Sequence, residues 1–138
     1  MDLKQIETFL EASRHAIASV LDSKGTPRSS PVWFLYQDDQ IYFSISIESA
    51  KYRHLCRDPR IALCIDAGHP DARAVTINGT AKLITDAETD HAEIEWKIMR
   101  RYHESDEETR RTQSTFAEQG PSALVVVSPE KIAGWDYN

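Results

Sequence analysis

Cysteine is scarce in this chain, with two among 138 residues, and neither sits in a ligand or redox spacing. Cys56 and Cys64 have no C-x-x-C partner, so a zinc ribbon or thioredoxin-like centre is excluded. They read as buried free thiols, one in a helix and one in a strand. Positive charge is also short: 16 Lys and Arg face 22 Asp and Glu, for a net charge of −6. Nucleic-acid binding is not expected, because neutralising phosphates requires a basic surface. No apolar run is long enough to cross a bilayer, and no leader pattern occurs, so a cytoplasmic protein with no membrane partner is expected. The G-x-G-x-x-G and G-x-x-x-x-G-K-[ST] patterns are absent, which leaves dinucleotide and P-loop sites unsupported. No Ser/His/Asp nucleophile pattern is present, and His91 and His103 lack carboxylate partners at metal spacing. No metal is therefore expected, and the catalytic residue is left unassigned.

What the chain does contain is short apolar segments separated by turns. Leu3, Ile6 and Leu10 fall at helical spacing in an opening helix over Leu3–Ser13. His15–Leu21 alternates like a strand, and Asp22-Ser-Lys-Gly25 is a turn in which Gly25 is free to take positive φ. Pro31–Tyr36 reads as one strand, and Gln37-Asp-Asp-Gln40 folds it back onto Ile41–Ile47. Ser49 is placed to cap a helix ending near Arg57, before Pro59. Arg60–Asp66 reads as a strand buried on both faces. Arg73–Ile84 is a long β-branched strand whose Gly79 marks a bulge or a close backbone approach. Residues 87–118 change character. Rich in Glu, Arg and Ala, they predict two helices, Ala87–Tyr102 and Glu107–Ala117, with mostly solvated charged faces. Ser122–Ser128 is a last strand, followed by a tail that carries Trp135. One domain spans residues 1–138, with a helical insertion at about 87–118. Its short strands and tight turns predict a mainly β, small antiparallel barrel.

The most chemical segment is Ser49-Ala-Lys51, at the step from strand to helix. The first N–H groups of a helix lack internal partners and carry partial positive charge, and a nearby ammonium adds a full one. The step is suited to holding a phosphate. His54 reads as a polar residue on a surface helix, and His15 as an edge residue.

Several segments in order resemble the flavin-binding split-barrel family typified by pyridoxamine 5'-phosphate oxidase. They are Gly25-Thr-Pro27, Pro31-Val-Trp-Phe34, Ile41-Tyr-Phe-Ser44, Ser49-Ala-Lys51, Asp58-Pro-Arg60 and Val75-Thr-Ile-Asn-Gly79. The resemblance implies a six- to seven-stranded antiparallel split β-barrel of Greek-key type, with flanking helices. It also implies a homodimer with the cofactor at its interface. The implied cofactor-binding residues are Val32, Trp33 and Phe34, Ser44, Ile45 and Ser46 along the ring slot, and Ser49, Ala50 and Lys51 at the phosphate. FMN is the implied cofactor, with an 8-hydroxy-5-deazaflavin coenzyme as the alternative. The phosphate step in the oxidase is usually Ser-Arg-Lys; Ala50 takes the arginine's place here, leaving Arg53, Arg57 or Arg60 to substitute. The arginine-rich C-terminal motif for pyridoxine phosphate is missing, so the resemblance is to the short flavin and deazaflavin branch. In that branch Arg28, Lys51, Arg53 and Arg57 could serve a deazaflavin's acidic tail. The implied activity is an FMN-dependent oxidoreductase moving a hydride to or from a small molecule. The alternatives are a deazaflavin-dependent reductase and a non-catalytic flavin- or haem-binding protein. Trp33 and Trp135 are candidates for shaping the open face of the site.

Overall fold

The computed structural model describes residues 1–85 and 89–138. Its elements are α1 (Leu3–Leu10), β1 (His15–Leu21), β2 (Pro27–Trp33), β3 (Leu35–Gln37), β4 (Gln40–Ser46), α2 (Ala50–Arg57), β5 (Arg60–Asp66), β6 (Arg73–Ile84), α3 (Thr89–Arg100), α4 (Asp106–Ala117) and β7 (Ser122–Asp136). The strands form one antiparallel sheet in the order β2-β1-β5-β6-β7-β4-β3. The sheet curls into the expected split barrel. Turn chemistry sets its register. Asp22 accepts the N–H groups of Lys24 and Thr26 while Gly25 takes φ 77°, closing β1 onto β2. Asp38 and Asp39 take φ 54° and 61°, the pair of left-handed residues that a two-residue hairpin between β3 and β4 requires.

The inner face holds Phe34, Ile41, Phe43, Leu63, Ile65, Ile77 and Val125, all but sealed from water. Each such side chain contributes about 1.5–3 kcal/mol on burial. α1 covers one end with Ile6, Phe9 and Leu10, and Asp2 and Gln5 fasten its start in a capping box. A smaller apolar cluster lies on the other face of the sheet. There Tyr42, Leu124 and Val126 pack with Ile98 of α3.

The structure corrects several expectations. Pro31–Tyr36 is not one strand: it breaks at Phe34. β2 pairs with β1 and β3 with β4, so the chain passes at Phe34 from one edge of the sheet to the other. β5 is buried on one face only, through Ile61, Leu63 and Ile65, because among the described residues its substantial contacts are with the neighbouring strands β1 and β6 and not with a helix over Ala62 and Cys64. Cys56 is exposed and Cys64 half-buried, both as free thiols. The tail after Ser128 is strand as far as Asp136, since the first half of β6 needs a partner. The irregularity at Gly79 is real, but the unpaired residue is Glu130 on β7. Gly79 itself is required because a Cβ there would collide with the Ser128 carbonyl oxygen. The expected helix start at Ala87 lies outside the described residues.

Candidate functional site

An open cleft of about 1170 Å³ lies between the outer sheet face and the helical insertion. Its size is a little above the range of ordinary small-molecule sites. One wall is Pro31, Val32 and Trp33 of β2 with Ser44, Ile45 and Ser46 of β4. The end is Ser49 and Lys51 at the start of α2. The facing wall comes from α3 and α4, including Glu95, Ile98, Met99 and Phe116, and residues 119–122 close the rim. The insertion is therefore not simply a solvated face.

The start of α2 is built by its cap. Ser49 Oγ accepts the Tyr52 N–H at 3.2 Å and donates to the Ser46 carbonyl at 2.7 Å. Its hydroxyl proton is thus committed to the cap rather than turned to the cleft. The N–H groups of Ala50 and Lys51 have no acceptor among the described residues. Lys51 is half-buried and lines the cleft, and among the described residues no carboxylate pairs with it. Burial pushes its pKa below the ordinary lysine range. None of the arginines named from the sequence borders the cleft. Arg28 pairs with Asp22 and Arg60 with Asp58. Arg53 donates to the Glu48 carbonyl, and Arg57 lies 3.0 Å from His54 Nδ1. Each is consumed locally, so none replaces the arginine missing at Ala50.

At the other end, Trp33 stacks on Tyr102 with ring centroids 4.9 Å apart and planes within 9°. Its indole N–H donates to His15 Nε2 at 3.3 Å. His15 is thus a cleft residue in addition to an edge one. Tyr102 Oη accepts the Phe34 N–H at 3.0 Å and donates to the Arg14 carbonyl at 2.6 Å, which holds the strand break in place. Burial raises the Tyr102 pKa.

Seven of the nine residues named from the sequence line the cleft: Val32, Trp33, Ser44, Ile45, Ser46, Ser49 and Lys51. Phe34 does not, since it is fully buried in the core at 0 % exposure. The Ala50 side chain is exposed outside the cleft, leaving only its backbone N–H to contribute. Trp135 is also outside, half-buried on β7 across from Ala74. The sequence reading missed Glu95. Its Oε1 lies 2.6 Å from His91 Nε2 and accepts from Ser122 Oγ at 2.6 Å and Ser44 Oγ at 3.2 Å. His91 therefore does have a carboxylate partner, four residues on along the helix; that spacing was the available signal. Among the described residues no group of three or more His, Cys, Asp or Glu side chains is placed to hold a metal.

The family model described as pyridoxamine 5'-phosphate oxidase matches residues 3–136. Among solved structures, the protein Rv2991 from Mycobacterium tuberculosis superposes with a TM-score of 0.81 at 22% identity, covering 99% of this chain and 85% of that one. An F420 reductase superposes at 0.71 with 20% identity, covering 92% and 94%. HutZ, a haem storage protein from Vibrio cholerae, superposes at 0.76 with 14% identity, covering 97% and 93%. At these identities the likeness is one of fold. Among curated proteins no sequence match was found.

Proposed function

The chain belongs to the pyridoxamine 5'-phosphate oxidase family, and on that premise we propose that it is an FMN-dependent oxidoreductase acting on a small molecule, and a homodimer. The observation that carries this reading is Lys51. It is a half-buried cation with no counter-ion among the described residues, at a helix start whose Ala50 and Lys51 N–H groups also find no acceptor there, on the edge of a cleft. Three donors of one sign converge there, and a phosphate satisfies all of them. Pro31 and Trp33, faced by Met99 and Phe116, offer an apolar slot of the kind a flat ring needs, while Val32 and Ile45 turn their side chains into the core and present backbone to it. These residues fit the group the family implies. Lys51 and the two N–H groups would hold the phosphate, and the β2–β4 wall would hold the ring. A bound flavin supplies the hydride or electron-pair chemistry. The chain supplies position: it packs ring and substrate in one cleft and keeps water from one face.

FMN is favoured over a deazaflavin coenzyme by charge. Lys51 is the one lysine or arginine among the described residues that line the cleft, and the opposite wall carries the carboxyl group of Glu95. A coenzyme with an acidic tail requires cations that are held elsewhere, at Asp22, Asp58, the Glu48 carbonyl and His54.

The test is a titration of purified protein with FMN, followed by flavin fluorescence, together with its visible spectrum. Lys51→Ala is expected to lose about 1.5–3 kcal/mol of FMN binding, roughly ten- to a hundredfold in Kd. Wild-type affinity in that variant sinks the phosphate assignment. A Soret band in place of flavin bands in the native protein overturns the flavin reading in favour of haem.

A further inference from the structure

Glu95 has no role in the reading so far, yet it is the best-organised charged group on the cleft. It comes from α3, where the outer sheet face turns from apolar to polar. Tyr42, Leu124 and Val126 lie under Ile98, while Ser44, Ser46 and Ser122 lie beyond them. Oε1 takes all three of the contacts made by Ser44, Ser122 and His91. Oε2 makes no hydrogen bond among the described residues, and the side chain lines the cleft. The carboxylate is therefore oriented by three fixed donors and keeps a second oxygen that can only accept. Whatever fills the cleft at that level must bring a donor, and a second phosphate or carboxylate there would be repelled.

The register says how far this point is from the anion end. Ser46 pairs with Ser122, and its carbonyl accepts the hydroxyl proton of Ser49. Ser44 lies two residues back along the same strand, about 6–7 Å away. Glu95, bonded to Ser44 and to Ser122 opposite Ser46, thus stands within one strand repeat of the step at Ser49. In a ligand held by its phosphate at Lys51, the segment one short chain away is what meets it.

We propose that Glu95, oriented by His91, Ser44 and Ser122, accepts a hydroxyl hydrogen bond from the polyol chain next to the ligand's phosphate, and so selects a polyol phosphate. The inference rests on the FMN reading. Its test uses three probes with one ring: FMN with chain and phosphate, riboflavin with the chain alone, and lumiflavin with neither. Each is titrated into the full-length wild-type protein, Glu95→Ala and Lys51→Ala, with thermal melts alongside. Glu95→Ala is expected to weaken FMN and riboflavin alike, by roughly ten- to a hundredfold, and to leave lumiflavin unchanged. Lys51→Ala is expected to weaken FMN alone. If Glu95→Ala melts early, Glu95→Gln keeps the acceptor for the two serines and is expected to show a several-fold loss with the same two probes. Unchanged riboflavin binding in a folded Glu95 variant overturns the polyol contact and leaves the FMN reading intact. An equal loss for all three probes also overturns it, by placing Glu95 at the ring. No binding of any probe to the wild type overturns both.

Discussion

At the residue scale the cleft is decided by which charges are left over. Asp22, Asp58 and Asp71 each take an arginine within a few residues. The Asp58 carboxyl is held down to about 2, chiefly by its side-chain bond to Arg60. Such exposed pairs contribute little to stability but remove their arginines from other work. Lys51 is spared because its neighbours are Ser49, Ala50 and the cleft. Desolvation favours its neutral form, so its folded-state pKa is depressed. The sign for binding follows: the ammonium is the form that attracts phosphate, so affinity is full below the depressed pKa and falls as pH rises through it. The bound phosphate is already a dianion above about pH 7. The ratio of FMN to riboflavin affinity cancels any titration of the shared ring. It is expected to fall with rising pH from a point below the ordinary lysine range. A ratio that stays flat until the ordinary lysine range would mean Lys51 is solvated in the working protein.

At the scale of elements, the insertion matters through where it is fastened. Arg101 donates to the carbonyls of Leu10, Glu11 and Ala12, and Tyr102 ties the Phe34 N–H to the Arg14 carbonyl. The turn between α3 and α4 is thereby pinned to both the α1–β1 connection and the β2–β3 break. Tyr102→Phe keeps the stack on Trp33 but strands two backbone groups. It is expected to cost about 1–3 kcal/mol and to lower the melting temperature by roughly 3–10 °C. An unchanged melt would show that packing alone holds the insertion. These fastenings also explain what the sequence could and could not tell. Turns with their own chemistry were legible: Asp22 to Gly25, Asp38-Asp39, and the Ser49 cap all act on neighbours within four residues. The break at Phe34 was not, because the residues on either side share one apolar pattern and only the distant partners differ. The length of β7 was hidden by Pro129 and Gly134, residues that usually end strands but here meet a bulge and the close-packed Met1. The Ser49–Lys51 step at the edge of the cleft was readable as a local motif. Glu95 was not, since its place depends on a helix crossing a sheet some fifty residues away in sequence.

For the whole molecule, the uncovered sheet face is the informative feature. The registers align Pro31, Ile17, Cys64, Thr76 and Ala133 side by side across β2, β1, β5, β6 and β7. That row crosses five strands without a charge, and Ile17, between Pro31 and Cys64, is 41 % exposed. Among the described residues no helix makes substantial contact with β5, while α1 and α3 pack on other parts of the sheet and α4 on α3. A flat, neutral, partly apolar row is poor as a solvated surface and suits a two-fold partner, in which each copy presents the same patch to the other. Pro31 belongs both to this row and to the cleft wall, so a second copy seated on the row would border the cleft. Light scattering at micromolar concentration is therefore expected to give about twice 15.7 kDa. Ile17→Lys places a like charge from each copy within the paired row and is expected to shift the protein toward monomer and weaken FMN binding, although Ile17 does not line the cleft. A wild-type monomer that binds FMN as well as any oligomer would refute the shared-site arrangement. A monomeric Ile17→Lys that keeps full affinity would separate pairing from binding and assign the whole site to one chain.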